Sequence, residues 1–186
     1  MMNDGTLITP DQLRELVPAL CAASAEPHAA ALGPAMAAFG ISTPRRIAAA
    51  IAQFAHETGG FRTLRELGND AYFDRYDGRD SLGNVHPGDG LKFKGRGYIQ
   101  ITGRANYAAA AEATGLPLLD NPELAEEPRY AALVSCWWWQ AHGLNKRADA
   151  LDFYRITKTI NGGTNGIEQR RRYWERAKQI WKDDAP

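Results

Sequence analysis

Apolar residues recur along most of this chain at the three-and-four spacing of an amphipathic helix, and clusters of turn formers interrupt them. Thr9-Pro10 followed by Gln12 reads as an N-cap, a first-turn proline and a capping-box partner, opening a helix that runs to about Ala22. An alanine-rich helix is predicted from Pro27 to about Phe39, kinked or interrupted near Gly33-Pro34 and ended by Gly40. Thr43-Pro44 opens a third, in which Ile47, Ile51, Phe54 and Thr58 share one face. Helices resume at 104–114 with Gly115 as terminator, at 128–142 closed by Gly143, and at 150–160 and 166–181, the last two parted by "NGGTNG".

Two stretches depart from the helical period. Residues 68–90, "GNDAYFDRYDGRDSLGNVHPGDG", are rich in turn formers and predict a long loop. "LKFKGRGYIQIT", residues 91–102, alternates and predicts a short hairpin bent near Gly95 and Gly97. The expected fold is therefore α+β and predominantly α-helical. With no repeat and no low-complexity linker, it is one domain over 1–186, with N-terminal helices in 1–43 and the core of the domain in 44–182.

Composition narrows the class. Lys plus Arg number 22 and Asp plus Glu number 22, so no global field recruits nucleic acid or a membrane surface. Charge is nevertheless uneven: Arg170, Arg171, Arg172, Arg176, Lys178 and Lys182 face only Glu168 and Glu175 in 168–182, which is either a solvated helix face or a surface for an anionic partner. Cys21 and Cys136 lie too far apart to clip a metal and are expected as buried free thiols. "MMNDGTLITP" has neither a basic nor an apolar leader region, and no run reaches the ~18 apolar residues of a membrane span. Cytoplasmic synthesis without stable membrane insertion is the expectation, with any export needing help.

Candidate chemistry begins at "FAHETGGF", residues 54–61. On a helical wheel Glu57 falls about 80° from the centre of the Ile47/Ile51/Phe54 stripe, at the rim of the buried face. A half-desolvated carboxyl there has the raised pKa that a general acid needs, although an ordinary exposed helix-end glutamate fits the position too. Glu66 follows nine residues later in "FRTLRELG". An unbroken helix would carry it about 180° round and about 13.5 Å away. Gly59-Gly60 permits a sharp exit, so the chain can fold Glu66 back toward Glu57. Two carboxylates in unlike environments are the minimum for cleaving a glycosidic bond; the alternative for Glu66 is a surface ion pair with Arg62 or Arg65.

"AHETGGF", then "KGRGYIQITGRANY" at 94–107, then "INGG" at 160–163, resemble in content and order glycoside hydrolase family 19, the chitinase-type enzymes that also supply bacteriophage endolysins. The resemblance runs from about residue 44 to about 175. It implies a lysozyme-like two-lobed fold with the small sheet beside a cleft, and an inverting hydrolysis that needs no cofactor or metal. Glu57 would be the general acid, Glu66 the general base, and Thr102 would hold the nucleophilic water. Gln100, Asn106 and Asn161 match positions that line the sugar cleft, and Arg170 matches an arginine that buttresses the site. The chemistry of these residue types agrees, since a hydroxyl can fix the direction of attack and amides offer both donor and acceptor to sugar hydroxyls. Tyr98, Tyr72, Phe73 and Tyr76 are candidates for stacking on sugar faces, with plain packing as the alternative. The three tryptophans of "SCWWWQAHG" are expected in core and interface packing.

Departures from the plant members set the expected substrate. Only two cysteines, no targeting segment, a short Glu57–Glu66 spacing and no appended carbohydrate-binding module move it from chitin toward peptidoglycan glycan strands. The chain is then an endolysin acting as a monomer at the cell wall or periplasm after release, with its basic last helix drawn to the envelope. Chitin hydrolysis, a lytic transglycosylase using one glutamate, and a noncatalytic glycan-binding module are the rivals. "HETGG" is not H-E-x-x-H, and "GRGYIQ" lacks the third glycine of a dinucleotide fingerprint, so zinc-protease and nucleotide readings fall away.

Overall fold

The structure is a computed structural model, and it describes residues 7–182. Helix α1 (Pro10–Leu16) begins with the predicted capping box: Thr9 Oγ1 accepts from Gln12 N at 3.2 Å while Gln12 Oε1 accepts from Thr9 N at 2.9 Å. It ends six residues early, where Val17, the residue before Pro18, leaves the helical region at φ −126° and ψ 86°. Helix α2 (Ala22–Ala38) starts five residues before its expected origin and runs through both Pro27 and Pro34 without interruption. Each proline deletes one backbone hydrogen bond, and packing of α2 against α1 and α7 (Pro128–Ala141) holds the remainder in place.

Helix α3 (Pro44–Glu57) is the centre of the fold, packed against α8 (Leu144–Asp149) and α10 (Ile167–Ile180). The expected one-sided stripe is an underestimate: every residue from Ile47 to Ala55 is buried. Five alanines among them let neighbouring helices approach from all sides, and a helix enclosed all round has no polar face to show. Burial relaxes only at His56 and Glu57, so the helix leaves the core where its first carboxylate appears. The buried apolar cluster extends from Ile8 to Trp181, with Trp139 fully enclosed and Trp137 and Trp138 packed against it, as expected of that triplet.

Two differences from the sequence expectation lie around the second carboxylate. Within 68–90 the chain makes two short helices, α4 (Asp70–Asp74) and α5 (Asp89–Lys92), and a single tight turn at Asp80–Leu82. The Asn69 side chain starts α4 by accepting from Tyr72 N at 2.9 Å. The predicted hairpin is reduced to isolated pairings: Arg96 pairs with Ile101 on one side and with Arg65 on the other. Positive φ at Gly97 (80°) and at Gln100 (55°) turns the backbone too tightly for strands to lengthen. Helix α6 (Arg104–Thr114) follows as predicted, with Gly115 left-handed at its end. The expected 150–160 helix is α9 (Phe153–Asn161), separated from α8 by Leu151 at φ 55°.

Cys136 is a buried free thiol, whereas Cys21 is exposed at the start of α2, contrary to expectation. The basic tail also divides. Arg170 is buried, Arg176 donates to Leu16 O at 2.9 Å, Lys178 pairs with Glu175 at 2.8 Å, and Arg171 and Arg172 face solvent. No helix among the described residues is long and apolar enough to cross a membrane.

Candidate active site

Glu57 closes α3, and the residues after it reverse the chain. Thr58 Oγ1 donates to Phe54 O at 2.7 Å and accepts from Phe61 N at 2.9 Å. Gly59, Gly60 and Phe61 then take φ of 60°, 80° and 62°, three left-handed residues in succession. Glycine supplies the first two at little cost; Phe61, a bulky residue in that region, is held there by its surroundings. The Glu57 carboxylate, whose side chain is 16% exposed, pairs with the guanidinium of Arg170 at 2.6 Å through Oε1. Arg170 also donates to Gln53 Oε1 at 2.6 Å and to Asn165 O at 3.1 Å, and Gln53 passes the network to Thr157 Oγ1 at 2.8 Å. Gln53 was not anticipated, yet it sits four residues before Glu57 on one helix face, the spacing at which a single arginine can hold both. His56, beside this pair, is pushed down to about 4, first by burial and then by the Arg170 charge, and its Nδ1 is buried without a partner.

Glu66 belongs to the paired segment. Its backbone N donates to Gly95 O at 2.7 Å and its Oε2 accepts from Gly95 N at 3.0 Å, while Oε1 accepts from the hydroxyls of Tyr72 and Tyr76, both at 2.9 Å. The carboxylate is half-buried, accepts three hydrogen bonds and pairs with neither Arg62 nor Arg65. Gly95 leaves room for the carboxylate: an added Cβ would lie 3.0 Å from both Glu66 Oε2 and Gln100 Oε1 and would press on both side chains. Gln100 holds its place by donating to Gly97 O at 2.8 Å; Thr102 Oγ1 donates to Gln100 O at 3.1 Å; and Asn106 Nδ2 donates to Thr102 O at 2.7 Å. Gln100, Thr102 and Asn106 are therefore linked by hydrogen bonds, and Gln100 and Glu66 flank the same residue, Gly95. Asn161 stands apart from them at the end of α9, its Oδ1 accepting from Asn165 N at 3.2 Å, and joins the Glu57 side through Asn165 and Arg170.

The aromatic candidates are reassigned by the structure. Tyr72 on α4 and Tyr76 in the turn that follows it orient Glu66, and their spacing of four was the available signal. Tyr76 is pushed up to about 12, by burial first and then by its neighbours, so its proton stays available as a donor. Arg75 lies over the Tyr72 ring at 3.5 Å, and Phe73 is buried. Tyr98 contacts no sugar, because it is fully buried. Its hydroxyl meets His28 Nδ1 at 2.6 Å while His28 Nε2 meets Phe61 O at 3.1 Å. A carbonyl only accepts, so Nε2 carries the hydrogen, Tyr98 donates to Nδ1, and the relay fastens the left-handed Phe61 between the two carboxylates. Burial lowers the His28 pKa, in keeping with the neutral ring this requires. Tyr98→Phe should cost about 1–3 kcal/mol of stability, since it leaves buried Nδ1 unsatisfied. It should leave KM unchanged, where loss of a sugar contact would raise it; calorimetry and initial rates check both.

The loop between Tyr76 and α6 is fixed by Asp89, 2% exposed, which accepts from Val85 N and His86 N at 3.0 Å each and from Arg104 at 2.6 and 2.8 Å. Arg104 holds its carboxyl down to about 2. Relative to an unfolded carboxyl near 3.8, this stabilisation, about 2 kcal/mol, is complete above pH ~4 and disappears as pH falls through about 2. His56 acts one window higher: its folded pKa lies below the unfolded 6.5, so the unfolded chain binds the proton first and stability falls between pH 6.5 and about 4. Urea midpoints measured against pH should show two stages, the lower erased by Asp89→Asn and the upper by His56→Gln.

A largely helical body, a small paired patch and two carboxylates, one closing a buried helix and the other fastened to the patch, define the lysozyme-like class of glycan-cleaving folds. The chain belongs to glycoside hydrolase family 19, whose class I chitinase profile matches residues 20–150. The match starts earlier than the motifs suggested and stops short of Asn161 and Arg170. An endochitinase of Arabidopsis thaliana is 39% identical over 128 residues, 67% of this chain and 41% of its own length. A glycosyl hydrolase family 19 domain-containing protein of Haemophilus influenzae is 30% identical over 148 residues, 64% of this chain and 72% of its own. The chain thus spans less than half the length of the plant relative. Crystalline chitinase C of Streptomyces griseus superposes with a TM-score of 0.77 at 25% identity, covering 97% of this chain and 95% of that one.

Proposed function

We propose that the protein hydrolyses the β-1,4 glycosidic bonds of bacterial peptidoglycan with inversion, Glu57 serving as general acid and Glu66 as general base. The observation that carries the reading is the contrast between the two carboxylates. Glu66 accepts three hydrogen bonds, the surroundings in which an ionised, acceptor-only group is satisfied. Glu57 is held by Arg170 through Oε1 alone, which leaves Oε2 free of any described partner and open to the oxygen of the leaving sugar. Thr102 has spent its hydrogen on Gln100 O, which leaves its lone pairs to accept from a water whose other hydrogen goes to Glu66. As the bond to the leaving oxygen breaks, that oxygen takes the Glu57 proton, the water oxygen joins the anomeric carbon from the opposite face, and Glu66 takes the water's proton. Gln100, Asn106 and Asn161 line the glycan, and Arg170 keeps Glu57 in place.

Peptidoglycan is favoured by two unpaired thiols and by exposed Arg171 and Arg172, which suit an anionic envelope reached after release from the cell that makes the protein. Chitin is the second reading, favoured by the names of the relatives, an endochitinase and a chitinase. Digestion of purified peptidoglycan and of colloidal chitin, with mass spectrometry of the new ends and NMR of their first-formed anomer, tests both. Saturated reducing ends from peptidoglycan in the α configuration are expected. Anhydro ends, β ends, or turnover of chitin alone would overturn the proposal.

A further inference from the structure

The segment joining the two carboxylates has a second face. Behind it lies a concavity of about 300 Å³ lined by His28, Phe61, Arg62, Thr63, Arg65 and Glu126, among others. Most of its polar groups are already engaged. His28 uses both ring nitrogens, and the Thr63 hydroxyl donates to Arg65 O at 2.9 Å and accepts from Arg65 N at 3.2 Å. Glu126 accepts from Arg96 at 2.7 Å. The side chains of Arg62 and Arg65, both exposed, form no ion pair or hydrogen bond with a described residue.

The charge balance of this face is therefore lopsided. Arg65 and Arg96 are directly paired, so their side chains project to the same side, and like charges so placed repel. One acid, Glu126, compensates Arg96. Two guanidiniums remain over a polar hollow, each a planar fork of donors shaped for a carboxylate or phosphate. Resting on the peptidoglycan reading above, we propose that this hollow is a receptor for an oxyanion of the substrate, the carboxylates of the stem peptides that hang from the glycan strand. Glu66 and Arg65 are neighbours with side chains on opposite faces of the segment, so a stem leaving a sugar at Glu66 has only that segment to cross. Four extended residues span about 13 Å, the reach open to such a stem. Chitin has no such stems, and the hollow would thus distinguish the two polymers.

The test compares wild type with the double variant Arg62→Gln, Arg65→Gln, whose exposed positions should leave the melting temperature unchanged. Substrates are glycan strands bearing stems and the same strands stripped by an amidase. The expected result is a KM about tenfold higher for the double variant on stem-bearing strands, with kcat unchanged and no effect on stripped strands. Equal loss on both substrates, or loss on neither, overturns the proposal. Titrating both proteins with D-alanyl-D-alanine and with inorganic phosphate, followed by NMR of the arginine Nε–H signals, separates the anion sources and needs no turnover. Dipeptide shifts confined to the wild type support the stem assignment. Shifts with phosphate alone reassign the hollow to a phosphate-bearing polymer and overturn it. If the protein cleaves chitin but not peptidoglycan while the dipeptide still binds, the functional reading has failed and the anion site has not.

Discussion

Glu66→Gln should lower kcat by about a thousandfold or more, within the range that a positioned general base contributes. The substitution keeps the side-chain volume and retains an acceptor oxygen for the Tyr72 and Tyr76 hydroxyls, while its NH2 meets the Gly95 N–H, so the melting temperature should fall by only a few degrees. KM should also change little, because Glu66 is assigned to the attacking water and not to the sugar. The amide has no lone pair basic enough to take the water's proton, which places the loss in the chemical step. A truncation makes the test sharper. In Glu66→Ala, with the carboxylate gone, azide needs no base to attack the anomeric carbon, and it should restore turnover as a glycosyl azide of inverted configuration. Glu66→Gln retaining wild-type kcat would remove the base from the mechanism, and a retained azide product would point to a covalent intermediate.

The helices were legible in the sequence wherever a local signal fixed both ends. The Thr9–Gln12 capping box, Thr43-Pro44 and Gly115 each mark an observed boundary, because capping is an interaction among neighbours in the chain. The failures share a different cause. The hairpin over 91–102 was inferred from alternation, yet its extended residues pair across one position only; tertiary anchors, such as Gly97 N on Leu64 O at 2.8 Å, decided the path. Tyr98 looked like a sugar platform because aromatics near a glycan motif often are, and its true partner, His28, lies seventy residues earlier on α2. No spacing rule reports a contact of that range. The site was legible in outline for the same reason: Glu57, Gln100, Thr102 and Asn106 stand in compact motifs. Of their supports, Gln53 was visible at best as a residue four before Glu57 on one helix, and Tyr72 and Tyr76 as a pair four apart; His28 gave no local signal.

Arg170→Met should be the most destabilising single change at the site, costing about 3–5 kcal/mol, the range for removing one partner of a buried ion pair. Arg170 is 1% exposed, and its loss strands the buried acceptor of Gln53 and removes the donor held by Glu57 and Asn165 O. Arg171→Met, the adjacent and exposed position, is the control and should stay within about 0.5 kcal/mol of wild type. Arg170→Lys keeps the charge but reaches one acceptor where the fork reaches three, so its stability and rate should both fall between wild type and the methionine variant. A second readout ties the effect to electrostatics. Since Arg170 is one cause of the low His56 pKa, NMR titration of His56 should move upward in Arg170→Met and stay low in Arg170→Lys. Coupling completes the case: with Glu57→Gln in place, Arg170→Met no longer strands a buried carboxylate, and the double variant should lose less stability than the sum of its parts. Strict additivity would mean that the 2.6 Å contact between these side chains carries no energy of its own, and that Glu57 is positioned by the helix alone.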